Sequence, residues 1–208
     1  MLWLRLQRLY WRRKVTQPAL RALLRQPLHF TRQPFERQRF VVIDLETTSL
    51  EPANGEIVSI AWVVIEQGRI QLRQSRLFHL TPQQGVGQSA VFHQLTDTAL
   101  ASADDFATVA PHLIAAAVNS TLVFHHAALD MGYLNRYLRA QFGVPLLVPV
   151  LDTLQLEYHR QHRRKDALQP GELRLGACRA RYGLPTLAAH DALTDALATA
   201  ELFLAMRS

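Results

Sequence analysis

The chain has 208 residues, 49% of them hydrophobic and 19% charged, enough for one well-cored domain with an appendage and too few for two comfortable domains. One cysteine, Cys178, excludes an internal disulfide framework and argues against structural zinc despite nine histidines; it fits a reducing compartment, so a cytoplasmic location is expected. The formal charge of +6 is unevenly divided: residues 1–39 hold 10 of the 23 Lys+Arg and one acid, Glu36, a net of +9, whereas residues 40–208 hold 13 bases and 16 acids, a net of −3.

The basic leader opens with a helical stretch in which Trp3, Leu6 and Tyr10 recur at i, i+3, i+7. Arg5, Arg8, Arg12 and Arg13 interrupt its apolar character, so it lacks the clean core of a signal peptide, and no run in the chain approaches the roughly 18 residues of a membrane span. Pro18, Pro27 and Pro34, each preceded by Gln, limit the rest of the leader to short helices and turns. Packing of these helices on the body is expected. The charge leaves nucleic acid, an anionic membrane surface or an acidic partner as alternative contacts for the arm.

From Phe40 the pattern is β. Residues 40–46, 56–66 and 69–79 read as strands, the last two joined at Gln67-Gly68 by a tight hairpin. TPQQGVGQS reads as a loop, residues 104–118 as a helix despite Pro111, and TLVF at 121–124 as a short buried strand. A helix over 127–143 stops at Gly143. Leu151 to about Lys165 and Glu172 to Tyr182 are expected to be helices separated by the loop RKDALQPGE, and HDALTDALATAELFLAM forms a last Ala/Leu-rich helix. This order predicts an α/β domain with a mixed central sheet flanked by helices.

Two acids interrupt the apolar run FVVIDLETTSL. In a strand, residues i and i+2 share a face, so Asp44 and Glu46 project together. Two neighbouring carboxylates repel unless a cation lies between them, and oxygen ligands favour Mg²⁺ or Mn²⁺ over zinc. On its own, D-x-E at a strand end is a weak signal, equally an exposed pair. Asp130 falls in the first turns of the 127–143 helix, where an acid also suits the helix dipole. Asp195 lies among Leu193, Ala196, Leu197 and Ala200, too apolar a setting for a solvated acid, and His190 five residues earlier is a candidate general base or a simple cap.

Taken together, VVIDLETTSL, VFHQLTD, LVFHHAALDMGYL, LDTLQL and HDALTDALATAELF resemble, in order, the motifs of the DEDDh 3′→5′ exonucleases. This is the group of the bacterial DNA polymerase III epsilon subunit, ribonuclease T and oligoribonuclease. The resemblance covers about residues 40–205, and its most specific part is the His190-to-Asp195 spacing. It implies a ribonuclease H-like three-layer fold over 40–208, behind a basic helical N-terminal extension, 1–39. It further implies two divalent ions, Mg²⁺ or Mn²⁺, held by Asp44, Glu46, Asp130 and Asp195 about 3.5–4 Å apart. His190 would deprotonate the attacking water, and nucleoside 5′-monophosphates would leave one at a time from a nucleic-acid 3′ end. Thr47, Thr48, Leu50 and His93 would contact the terminal nucleotide, with His126 where relatives usually carry Asn.

Leu129 replaces the usual Phe before Asp130, and VFHQLTD lacks the glycine common after its histidine. No ligand is lost, so activity is expected, with single-stranded DNA as the first substrate reading. RNA or short oligonucleotides form the second, and an inactive nucleic-acid-binding module the third. The chain ends at Ser208, so a stand-alone, epsilon-like enzyme without a polymerase-binding tail is expected. HRQHRRK, 159–165, reads as a solvated helix face, with a phosphate-tracking patch as the alternative.

Overall fold

The computed structural model describes residues 1–81, 103–163, 168–187 and 191–207, with the side chains of residues 29 and 30 left aside. Two helices, α1 (Leu2–Trp11) and α2 (Pro18–Arg25), precede three antiparallel strands, β1 (Arg39–Thr47), β2 (Ile57–Glu66) and β3 (Arg69–His79). There follow α3 (Phe106–Ala116), β4 (Ser120–Phe124), α4 (Ala127–Phe142), β5 (Val150–Asp152), α5 (Thr153–His162), α6 (Leu175–Arg181) and α7 (Ala192–Ala205). The sheet order is β3-β2-β1-β4-β5, with β4 and β5 parallel to β1, giving the expected mixed sheet.

Strand β1 is buried on both faces, and its alternation sets the layers. Val41 and Ile43 join a core with Leu20, Leu23 and Leu24 of α2, Val109 and Leu113 of α3, and Leu134 and Leu138 of α4. Phe40 and Val42 face the other way, onto Ala196, Ala200 and Phe203 of α7. The alanines at i and i+4 let α7 lie close against the strand. The even-numbered face of β1 therefore runs Phe40, Val42, Asp44, Glu46 toward α7.

The β2–β3 turn matches expectation, with Gln67 (φ 53) and Gly68 (φ 68) both left-handed, as a type I′ hairpin requires. Gly143 (φ 71) ends α4 in the same region. Two expectations need correction. Residues 150–152 form a fifth strand, paired with β4 at Leu122↔Val150 to Phe124↔Asp152, and helix α5 starts only at Thr153. The helix expected from Glu172 is confined to Leu175–Arg181, while Gly171 (φ 88) turns the chain before it.

The leader packs on the body as expected, and α1 does so by the face opposite its Trp3, Leu6 and Tyr10 stripe. Trp3 (69% exposed) and Leu6 (56%) face solvent together with Tyr10, while Arg8 is 5% exposed. The Arg8 guanidinium donates to the carbonyls of Leu23, Leu24 (3.3 Å) and Gln26 (2.9 Å) at the C-terminal end of α2, and to Leu147 O (3.2 Å) on the body. Helix ends leave carbonyls such as those of Leu24 and Gln26 without a backbone partner, so one cation both caps α2 and fixes α1. Burial lowers the Arg8 pKa to about 10, which still keeps it charged at neutral pH.

Candidate active site

The acids lie where β1 leaves the sheet. Its ladder with β2 runs regularly to Glu46↔Ser59 and then skips to Thr47↔Ile57, a bulge directly after Glu46. Such irregularities bend a strand and re-aim its side chains. Asp44 and Glu46 thereby face the first turn of α7, whose N-cap Asp191 accepts from Thr194 N (2.9 Å). Carboxylate oxygens of Asp44, Glu46 and Asp195 all fall within 4.8 Å of one another. Sequence positions 150 residues apart are thus joined by one strand and one helix.

Asp130 stands on the other flank, in the first turn of α4, buried and hydrogen-bonded by its own backbone N–H and that of Leu45. Burial, and then the charges of Asp152 and Glu46, raise its pKa to about 7 against these hydrogen bonds. Asp44 is raised well above the carboxylate range, first by burial, then by the charges of Asp130, Asp195, Glu46 and Asp191. All four acids therefore share one electrostatic site, although Asp130 lies outside the tight group of three. A donor set of carboxylate oxygens alone, with at least one acid forced toward its protonated form, fits a hard divalent cation such as Mg²⁺ or Mn²⁺.

The segment after the bulge is clamped by α4. Tyr133 donates its hydroxyl to Ser49 O (2.6 Å), Arg136 donates to Ala53 O (3.1 Å) and Gly55 O, and Ile57 N donates to the Tyr137 hydroxyl (3.2 Å). A side chain at Gly55 would collide with the Tyr133 hydroxyl, and one at Gly132 would come within 2.8 Å of Pro52 Cγ. Glycine is needed at both places for this close approach. Thr47 donates to Ser49 O (2.9 Å) and Thr48 accepts from Glu56 N (2.8 Å), so both hydroxyls shape the turn. Leu50 projects from it, 82% exposed.

At the start of α4, His126 is left-handed (φ 88, ψ 52) and exposed. It lines a cleft of about 740 Å³ together with Asp195, Leu154, Arg174 and Thr186. His93 and His190 lie outside the described residues. In HRQHRRK, His159, His162 and Arg163 are exposed and Arg160 lies over the Tyr182 ring (5.5 Å), while 164 and 165 are not described.

Asp152, Thr153, His125 and Arg174 were not singled out by residue type. Asp152 ends β5 and accepts from His126 N (3.0 Å), Ala127 N (3.0 Å) and Leu154 N (2.9 Å), capping α4 and α5 with one carboxylate. The His125 ring bridges Thr153 Oγ1 (2.8 Å) and Leu173 O (2.9 Å). A carbonyl only accepts, so Nε2 carries the proton toward Leu173, while the Thr153 hydroxyl in contact with Nδ1 donates to Phe124 O (3.0 Å); burial lowers the His125 pKa. The available signal was the Asp-Thr pair in LDTLQL, a helix N-cap pattern.

Residues 41–203 match the exonuclease family of the ribonuclease T type. The chain belongs to the DEDDh exonuclease family. It is 34% identical over 177 residues to a DNA polymerase III subunit epsilon-like protein of Rhodobacter capsulatus, covering 82% of this chain and 24% of that protein. It is 30% identical over 171 residues to a PolC-type DNA polymerase III of Thermotoga petrophila, 82% of this chain and 12% of the other. The chain thus spans a small part of these relatives. Among solved structures, cell-death related nuclease 4 superposes with a TM-score of 0.66 at 17% identity, over 83% of this chain and 64% of that one. Escherichia coli exonuclease I in complex with a dT13 oligonucleotide gives 0.67 at 16% identity, over 83% and 41%. Both share the ribonuclease H-like exonuclease fold. No helix among the described residues is long and apolar enough to cross a membrane.

Proposed function

We propose that this protein is a 3′→5′ exonuclease that removes nucleoside 5′-monophosphates one at a time from single-stranded DNA. Residues 40–208 form the catalytic domain and residues 1–39 an extension seated on it. The observation that carries the reading is the convergence of Asp44, Glu46 and Asp195 oxygens within 4.8 Å, with Asp130 beside them. When bound, two Mg²⁺ or Mn²⁺ ions supply an activated water and neutralise charge on the phosphate. Asp44, Glu46 and Asp195 would hold the ions from one side and Asp130 from the other. Burial and the neighbouring carboxylates hold Asp44 toward its acid form, and that proton would be displaced by a cation bound there. His190 takes the proton from the attacking water; the new P–O bond forms as the P–O3′ bond breaks, and the departing O3′ takes up a proton from solvent to leave a 3′-hydroxyl on the shortened strand.

Binding of the terminal nucleotide falls to the rim. Exposed Leu50, on a turn fixed by Thr47 and Thr48, offers an apolar wedge to the last base, and His93 and His126 are further candidates to contact that nucleotide. Arg174, exposed in the cleft beside Asp195, is placed to meet a phosphate. Support for DNA comes from the dT13 complex of the exonuclease I that shares this fold.

The test is direct. With Mn²⁺, a 5′-labelled DNA oligonucleotide shortens in single-nucleotide steps, and Asp44→Ala leaves it whole. If wild type and variant both leave it intact across a broad metal range, the reading fails and a binding module remains. Much faster consumption of RNA would move the substrate to RNA.

A further inference from the structure

Helix α1 is an inverted helix. An amphipathic surface helix normally buries its apolar stripe and exposes its cations. Here the body-facing side is made by Arg8, Leu4 and Trp11, with Arg8 bonded to four backbone carbonyls, while the apolar residues point out. At about 3.6 residues per turn, Leu9, Leu2, Leu6, Tyr10 and Trp3 fall in sequence around one contiguous arc, with Arg5 and Arg12 along its edge. All seven are exposed, Leu2 by 73%. An arc of this kind on a ten-residue helix that is firmly held cannot turn over to bury itself.

The adjoining surface is strongly cationic. Arg12, Arg13, Arg21 and Arg25 surround one recess of about 610 Å³ at the junction of α1 and α2. Lys14, exposed, holds its ammonium 4.2 Å from the Tyr10 ring centroid. The only acid in the first 39 residues is Glu36, so nothing within the leader neutralises this face.

We propose that α1 and its arginine recess dock this protein on an anionic phospholipid surface, with the leucines and Trp3 entering the headgroup boundary and the arginines meeting lipid phosphates. Basic residues beside an exposed aliphatic and aromatic arc are the pattern of an interfacial helix. Nucleic acid would use the cations and could stack on Trp3 or Tyr10, but Leu2, Leu6 and Leu9 give bases no platform. A protein partner would be expected to interleave acids and bases; a surface of uniform negative charge matches a leader of net +9.

The fold gives this docking an orientation. Arg8 binds Leu147 O just ahead of β5, and Gln26 accepts from Asn119 N just ahead of β4. These are the N-terminal ends of parallel strands whose other ends carry Asp44, Glu46 and Asp152. From Arg39 to Glu46 is about 20 Å of strand. The acids thus open on the side away from the docked helix, toward solvent.

Co-sedimentation of the full chain with vesicles decides the matter. Binding to phosphatidylcholine vesicles containing phosphatidylglycerol, and not to pure phosphatidylcholine, is expected. Arg12→Gln with Arg13→Gln weakens it about thirtyfold at low salt, and Leu6→Glu abolishes it, with unchanged circular dichroism and nuclease activity on short oligonucleotides. Absence of binding to the anionic vesicles overturns the proposal. So does binding that ignores Leu6→Glu, which would reduce the contact to bare charge. Oligonucleotide retention lost in the arginine variant, without vesicle binding, would assign the face to nucleic acid instead.

Discussion

Asp152 holds His126 in a left-handed backbone conformation, accepting its amide N–H at 3.0 Å, and thereby fixes where α4 begins and where Asp130 stands. A non-glycine residue in that region costs about 1–2 kcal/mol, and the Asp152 carboxylate returns part of it by bonding Ala127 N as well. Asp152→Ala should therefore destabilise by about 2 kcal/mol, since two helix starts lose a cap. It should also lower kcat more than it raises KM, because Asp130 loses its support. Chemical denaturation with steady-state assays checks both; an unchanged kcat at reduced stability would make Asp152 structural only.

His126→Asn tests the same turn from the other side. Asn tolerates the left-handed region better than His, so a gain of a few tenths of a kcal/mol is expected with activity retained. A loss of activity at equal stability would show that the imidazole itself meets substrate.

The acids make metal-free stability pH-dependent. Asp130 titrates at about 7 in the folded chain against an ordinary 3.8, so the native state binds its proton more tightly than the unfolded state. Stability contributed by that proton is full below about pH 4 and is lost as pH rises toward 7, on the order of 4 kcal/mol from this group alone. Asp44 acts in the same direction. In chelator, Tm should thus fall over this interval, Asp44→Asn should raise Tm at neutral pH, and Mn²⁺ should stabilise wild type more at pH near 7.5 than near 5. Asp44→Asn should meanwhile lose at least about a hundredfold in kcat. A flat Tm profile in chelator would contradict the shared acidic site.

Arg8→Met keeps the length of the side chain and removes its charge. Four carbonyl contacts are lost, and a stability loss of about 2–3 kcal/mol is expected, together with protease cleavage between α1 and α2. Resistance to both would mean that α1 is held by Leu4 and Trp11 alone.

Gly55→Ala should cost about 1–3 kcal/mol through collision with the Tyr133 hydroxyl, and should raise KM because the Leu50 turn moves. Gly55→Ala with Tyr133→Phe should recover part of the stability. No recovery would place the strain elsewhere.

Local chemistry made much of this protein readable from its residues. The alternation along FVVIDLE put Asp44 and Glu46 on one face of a buried strand, Gln67-Gly68 supplied the left-handed pair that a tight hairpin needs, and Gly143 ended α4. These depend on neighbours one to four residues apart, so sequence alone determined them. The distance-dependent features were decided by the tertiary structure. Three residues, 150–152, are too few to show a period, and become a strand only because β4 offers a parallel edge. The capping of α4 by Asp152, 25 residues from Ala127, follows from that pairing. The inward face of α1 was hidden for the same reason: its spacing marks Trp3, Leu6 and Tyr10 as one stripe, but the carbonyls of α2 and Leu147 O attract the Arg8 guanidinium, and a charge bonded to four acceptors decides which face turns inward.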